Sequence, residues 1–142
     1  LYISASQGQT IVDSYDLIRA HEVNYSQIFY DRLLHDHPFA RALFPDDMTH
    51  QVNVFREMID ALVSQIDDLS ALQPSLTDLA KRHVAYGVKA WHYEVVGEGL
   101  IGCFSDVLAD RFTTAMREAW EALYSATAGA MIAEAYPKEQ SS

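Results

Sequence analysis

The stretch Leu79-Ala80-Lys81-Arg82-His83-Val84-Ala85-Tyr86-Gly87-Val88 decides how this chain is read. As a helix, it places Leu76, Leu79, Ala80 and His83 at i, i+3, i+4 and i+7. Those positions form one apolar face, and an imidazole sits on it. Thirty-two residues upstream, Gln51 lies on a second apolar stripe. An inward imidazole facing an inward amide is what a buried metal cofactor with a bound gas requires. A core histidine hydrogen-bonded to backbone gives the same pattern, and is the commoner case. The face alone does not choose between them.

Working outward, 142 residues predict one domain with room for a sizeable core. A hydrophobic fraction of 49% and a charged fraction of 21% are ordinary for a globular protein. The net charge of −10 argues against nucleic acid and against an anionic membrane surface as partners. One cysteine, Cys103, precludes an internal disulfide and fits a reducing compartment, so a cytoplasmic location is expected. No run of 18 apolar residues occurs. Leu1 to Thr10 lacks the basic and apolar regions of a signal peptide. The absent initial methionine predicts a processed product or a piece of something longer.

Helical stripes run along the chain. Ile11, Tyr15 and Ile18 form the first. Asn24 to Asp36 follows, with Ile28, Phe29, Leu33 and Leu34 inward, and His37-Pro38 interrupts it. A short segment spans Pro38 to Leu43. Val52, Phe55, Met58, Ile59, Leu62, Val63 and Ile66 make a long stripe. Ser75-Leu76-Thr77-Asp78 reads as a capping box opening the His83 helix, and Gly87 as its end. One further stripe runs from Val95 to Leu108. The last runs from Met116 to Ile132, with a stop at Pro137 and a frayed tail. The expectation is six substantial helices, one short one and no sheet. No Gly-rich dinucleotide fingerprint occurs, so no built-in flavin or nicotinamide domain is expected. The six histidines, His21, His35, His37, His50, His83 and His92, show no zinc-site spacing.

Several markers then occur in order. Phe29-Tyr30 precedes His37-Pro38 and Leu43-Phe44. Ile66-Asp67-Asp68-Leu69 leads to Lys81-Arg82-His83 and Gly87-Val88. Val96-Gly97-Glu98 and Ala119-Trp120 follow. Together, across roughly residues 10 to 136, they resemble the globins, in particular single-domain bacterial haemoglobins and neuroglobin-like chains. The resemblance implies an all-α globin fold, a three-over-three helical sandwich around a haem. It predicts a globin domain over 8–137, with flexible tails over 1–7 and 138–142. The implied cofactor is haem b (iron protoporphyrin IX), held through iron by His83 as the proximal ligand. Phe44 matches the aromatic wedged against the haem face, and Pro38 the proline opening the short third helix. Gln51 and Tyr30 match the distal polar positions, Phe55 lies one turn beyond Gln51, and Val88 falls in the matched motif after His83. Tyr93 matches a proximal tyrosine that, in bacterial relatives, pairs with a glutamate of the last helix. Here that position is Ala135, and Glu134 is one residue off, rotated by about 100°. That departure predicts a weak proximal electronic push. His50 is the alternative distal ligand. Lys89 and His92 fall near the haem edge, either meeting a propionate or facing solvent.

The function so implied is reversible binding of dioxygen and other diatomic gases at ferrous iron, for transport or storage. The alternatives are nitric-oxide dioxygenation with a separate reductase, and a gas or redox sensor module of a longer protein. Self-association as a homodimer is also allowed.

Overall fold

The structure, a computed structural model, describes residues 2–85 and 87–135. Helix α1 (Ala5–Ala20) begins where the Ser4 hydroxyl accepts the Gln7 N–H at 3.1 Å. The chain is therefore helical from Ala5, inside the stretch read as a tail over 1–7. Ile11, Tyr15 and Ile18 of its inner face are fully buried. Helix α2 (Tyr25–Asp36) is capped by Asn24, whose side chain accepts the Gln27 N–H at 3.2 Å. It stops at His37, because Pro38 excludes helical geometry before it, and a 3-10 segment Pro38–Leu43 turns the chain. Helix α3 (Thr49–Ser64) follows, its first N–H held by the Asp47 carboxylate at 3.0 Å.

The start of α4 (Gln73–Ala85) differs from the sequence expectation. A 3-10 segment, Leu69–Leu72, runs directly into it, so Ser75 lies inside the first turn rather than at its cap. Pro74 explains this: its fixed φ suits the first turn, and its missing N–H would have no helical partner there. Gly87 at φ 85° ends the helix region as expected, with the Gly87 N–H on the Val84 carbonyl and the Val88 N–H on the His83 carbonyl, both at 3.0 Å. Helices α5 (His92–Leu108) and α6 (Thr114–Ala135) complete the fold, joined through a 3-10 segment, Ala109–Arg111. The stop at Pro137 and the tail over 138–142 lie outside the described residues, as do Leu1, Tyr86 and Tyr136.

The six helices pack as a three-over-three sandwich, with α1, α3 and α4 over α2, α5 and α6. Helix α6 lies against α1, α4 and α5, and α2 lies against α3 and α5. Trp120 of α6 locks the first contact: fully buried, it donates its indole N–H to the Ser14 hydroxyl at 2.8 Å. Gly97 lets α5 and α6 approach closely, since a Cβ there would fall 2.6 Å from the Tyr124 ring. Helices α3 and α4, by contrast, are not among the pairs that pack closely.

Candidate functional site

The separation of α3 from α4 is matched by a division of the core. One cluster gathers Phe29, Tyr30, Val52 and Ile59, with Phe44 and Phe55 packed against it. The other holds Leu76, Ala80, Tyr93, Ala128 and Met131, with Leu79 and Val88 against it. Met58, Leu72 and Tyr124 touch both. Two apolar clusters on helices that do not pack closely on each other are what a flat apolar group needs.

On the α4 side, His83 is half-buried and its Nδ1 donates to the Leu79 carbonyl at 2.8 Å. That bond fixes the tautomer and leaves Nε2 as the nitrogen able to bind iron. Burial holds the imidazole below its ordinary pKa, against the opposing pull of the Leu79 carbonyl, so the neutral, ligating form is favoured. Tyr93 is buried and stacks on the His83 ring, with centroids 5.9 Å apart and planes at 25°.

On the opposite side, Tyr30 is buried, and the Gln51 amide donates to its hydroxyl at 3.0 Å. Burial pushes the Tyr30 phenol up to about 12, with the Gln51 bond working in the other direction, so it stays a neutral donor. Because its oxygen accepts from Gln51, its own O–H remains to be given elsewhere. Aromatic rings hold it: Phe44 and Phe55 both lie 5.5 Å from the Tyr30 ring edge-on, and Phe55 stacks on Phe29 at 4.7 Å.

Tyr30, Gln51, Phe44 and Phe55 are thus brought together, while Tyr93 and Val88 share the other cluster and the His83 ring lies on Tyr93. His50 is exposed, apart from the Tyr30–Gln51 pair. Glu134 is exposed, while Ala135 packs in the cluster that holds Tyr93. His92 accepts the Lys89 N–H at 2.9 Å and stacks on Phe39. Tyr124 falls within the helical stripe from Met116 to Ile132. In the structure its hydroxyl donates to the Tyr93 carbonyl at 2.5 Å, and its ring lies on Gly97. The pairing of a helix-interior glycine with a large residue on the next helix was a signal, but sequence carries no pairing register between helices.

A neutral imidazole stacked on one core cluster and a hydroxyl–amide pair at the other, in a three-over-three helical sandwich, define a haem-carrying architecture. The donor set fits haem: one free imidazole nitrogen for iron, apolar walls for the macrocycle and polar donors for a ligand. A globin family profile matches residues 27–131, and the chain belongs to the globin family, whose members bind haem. The chain is 30% identical to neuroglobin of Danio rerio, over 91% of this chain and 90% of that protein. It is 31% identical to a flavohaemoprotein of Bordetella parapertussis over 82% of its length, but spans only 30% of that relative. Among solved structures, it superposes on an engineered carbene transferase built on a candidate nitric oxide dioxygenase from Rhodothermus marinus. The TM-score is 0.85 and the identity 25%, with 98% of this chain and 97% of that one covered. A bacterial globin from Campylobacter jejuni matches in fold, with TM-score 0.81 at 22% identity, over 96% and 99% of the two chains. Among the described residues, no helix is long and apolar enough to cross a membrane.

Proposed function

We propose that the chain reversibly binds dioxygen at ferrous haem b, with His83 as the proximal ligand and Tyr30 and Gln51 as distal donors. The observation that carries this is the 3.0 Å hydrogen bond from the Gln51 amide to the Tyr30 hydroxyl inside an aromatic wall. Haem supplies the iron at which the gas binds. The chain's part is to aim the Tyr30 O–H, and the second N–H of Gln51, at the ligand's far atom. Dioxygen draws negative charge from ferrous iron, so these donors favour it, whereas carbon monoxide draws little. A charge-assisted hydrogen bond contributes on the order of 1.5–3 kcal/mol. With about 1.4 kcal/mol per tenfold, loss of one donor corresponds to a roughly ten- to hundredfold change. Tyr30→Phe and Gln51→Leu should each speed oxygen dissociation by that factor in stopped flow, with carbon monoxide release much less affected. Unchanged oxygen off-rates in both variants would reject the distal assignment.

A second reading, nitric-oxide dioxygenation, draws support from the similarity to the flavohaemoproteins and to the Rhodothermus marinus protein. Turnover would then require electrons from a separate reductase. In α6, Glu134 is exposed and the position matching the bacterial glutamate is the apolar Ala135, which supports a weak proximal push and with it carriage over peroxidase-like chemistry.

A further inference from the structure

Phe29 is fully buried, and its ring faces two residues of the distal side. It stacks on Phe55 with centroids 4.7 Å apart and planes at 10°, and it meets Tyr30 edge-on at 4.9 Å. Phe55 meets Tyr30 in turn at 5.5 Å. The three rings close a triangle, so a shift of one is passed to the others. Phe29 also touches α5: a Cβ at Gly99 would lie 3.0 Å from its Cε1 and 3.5 Å from its Cδ1. Gly99 has ordinary helical backbone, since among the described glycines only Gly87 has a positive φ. Glycine is a poor helix former, so what it supplies at this position is space for the ring. Two buried links keep α2 from yielding. Ser26, one turn before Tyr30, donates its hydroxyl to the Val52 carbonyl of α3 at 2.7 Å, next to Gln51 in the chain. Cys103, one turn after Gly99, places its thiol on the Tyr25 carbonyl of α2 at 3.4 Å. With α2 tied to both neighbours, bulk added at residue 99 has to move the Phe29 ring.

We propose that Gly99 is a positioning residue for the distal pocket: by leaving room for Phe29, it sets the direction in which Tyr30 presents its O–H, and so how tightly dioxygen is held relative to carbon monoxide. The proposal rests on the distal-donor reading above and extends it to a residue that itself supplies no donor. The physical link is the angular dependence of the hydrogen bond, which weakens steeply as the donor turns away from its acceptor. A ring displaced by a few tenths of an ångström at Gly99 turns the phenol through the Phe29–Phe55–Tyr30 triangle.

The test uses the haem-loaded full chain, with oxygen and carbon monoxide release read by stopped flow. Gly99→Ala should speed oxygen release by about three- to tenfold, part of the factor for removing a donor outright, and leave carbon monoxide release little changed. The C–O stretch of the carbon monoxide complex, which falls when a donor points at the ligand, should rise towards its Tyr30→Phe value. Gly102→Ala, on the same helix where a Cβ meets nothing within 4 Å, should match wild type in both readouts. Non-additivity identifies the route: Gly99→Ala should change nothing further in a Tyr30→Phe or a Phe29→Leu background. Phe29→Leu alone adds no bulk and should also speed oxygen release, so it tests the triangle even if Gly99→Ala does not fold. An unchanged oxygen off-rate in Gly99→Ala or in Phe29→Leu would overturn the proposal. So would a Gly99→Ala effect that persists in full without the Tyr30 hydroxyl. If Tyr30→Phe itself leaves oxygen release unchanged, the distal-donor reading fails and this proposal with it. If Tyr30→Phe speeds release and Gly99→Ala does not, the proposal alone fails.

Discussion

At His83 the two ring nitrogens have separate tasks. Nδ1 is committed to the Leu79 carbonyl one turn back, so the ring is oriented by its own helix. The acceptor is a neutral carbonyl and not a carboxylate, which limits how much electron density the imidazole can donate. His83→Ala should lose stable haem while leaving most helices formed. Haem retention on gel filtration, with the reduced spectrum, checks this; retention equal to wild type would show that the iron ligand lies elsewhere. The inward position of His83 was readable in the sequence from the Leu76, Leu79, Ala80 stripe. Its free Nε2 was not, because the identity of the Nδ1 acceptor depends on side-chain rotation about a helix already formed.

Among the elements, α5 and α6 hold the most demanding contact. Gly97 admits the Tyr124 ring, and the Tyr124 hydroxyl then reaches the Tyr93 carbonyl at the first turn of α5. Gly97→Ala should destabilise the fold. Overpacking costs about 1–3 kcal/mol, and the roughly 1 kcal/mol helix gain of alanine over glycine offsets only part of it. Gly102→Ala, where a Cβ meets nothing within 4 Å, should raise stability through that same helix gain. Urea midpoints should therefore move in opposite directions for the two variants; a shift in the same direction would mean that α5 and α6 are not seated as described. The elements themselves were largely readable. The stripes of α1, α2, α3, α5 and α6 fell where the helices are, because amphipathic periodicity is written in the sequence. The exception was the start of α4. There a local capping pattern at Ser75 lost to Pro74 and to the 3-10 turn Leu69–Leu72, which tertiary packing of buried Leu69 holds in place.

For the whole molecule, buried phenols set an alkaline limit. Tyr15, Tyr25, Tyr30 and Tyr124 all have raised pKa values, in each case chiefly from burial. Tyr15 also donates to the Asp60 carboxylate and bonds to Tyr25 at 2.7 Å, so neither phenol is easily reached by base. The neutral form is the one the fold accommodates. Their contribution to stability is therefore complete below the ordinary value of 10.0 and is lost as pH rises towards and through about 12, the Tyr30 value. In alkaline titration, the tyrosinate absorbance of these four phenols should rise above pH 10 together with loss of helical circular dichroism. More than four of the chain's eight phenols ionising near 10 with the helices intact would contradict the burial of these four.

The sequence by itself determined the helices and the family resemblance, and it nominated His83, Tyr30, Gln51 and Phe44 as candidates, because period and marker order are properties of the chain. Only the tertiary structure decided that Gln51 bonds Tyr30, that Tyr93 lies on His83, that Tyr124 seats in Gly97, and that Phe39 meets Trp91. Those pairs lie 10 to 52 residues apart. Which such residues meet is set by how helices cross and rotate against one another, and helical periodicity fixes a face but not the partner that the face finds.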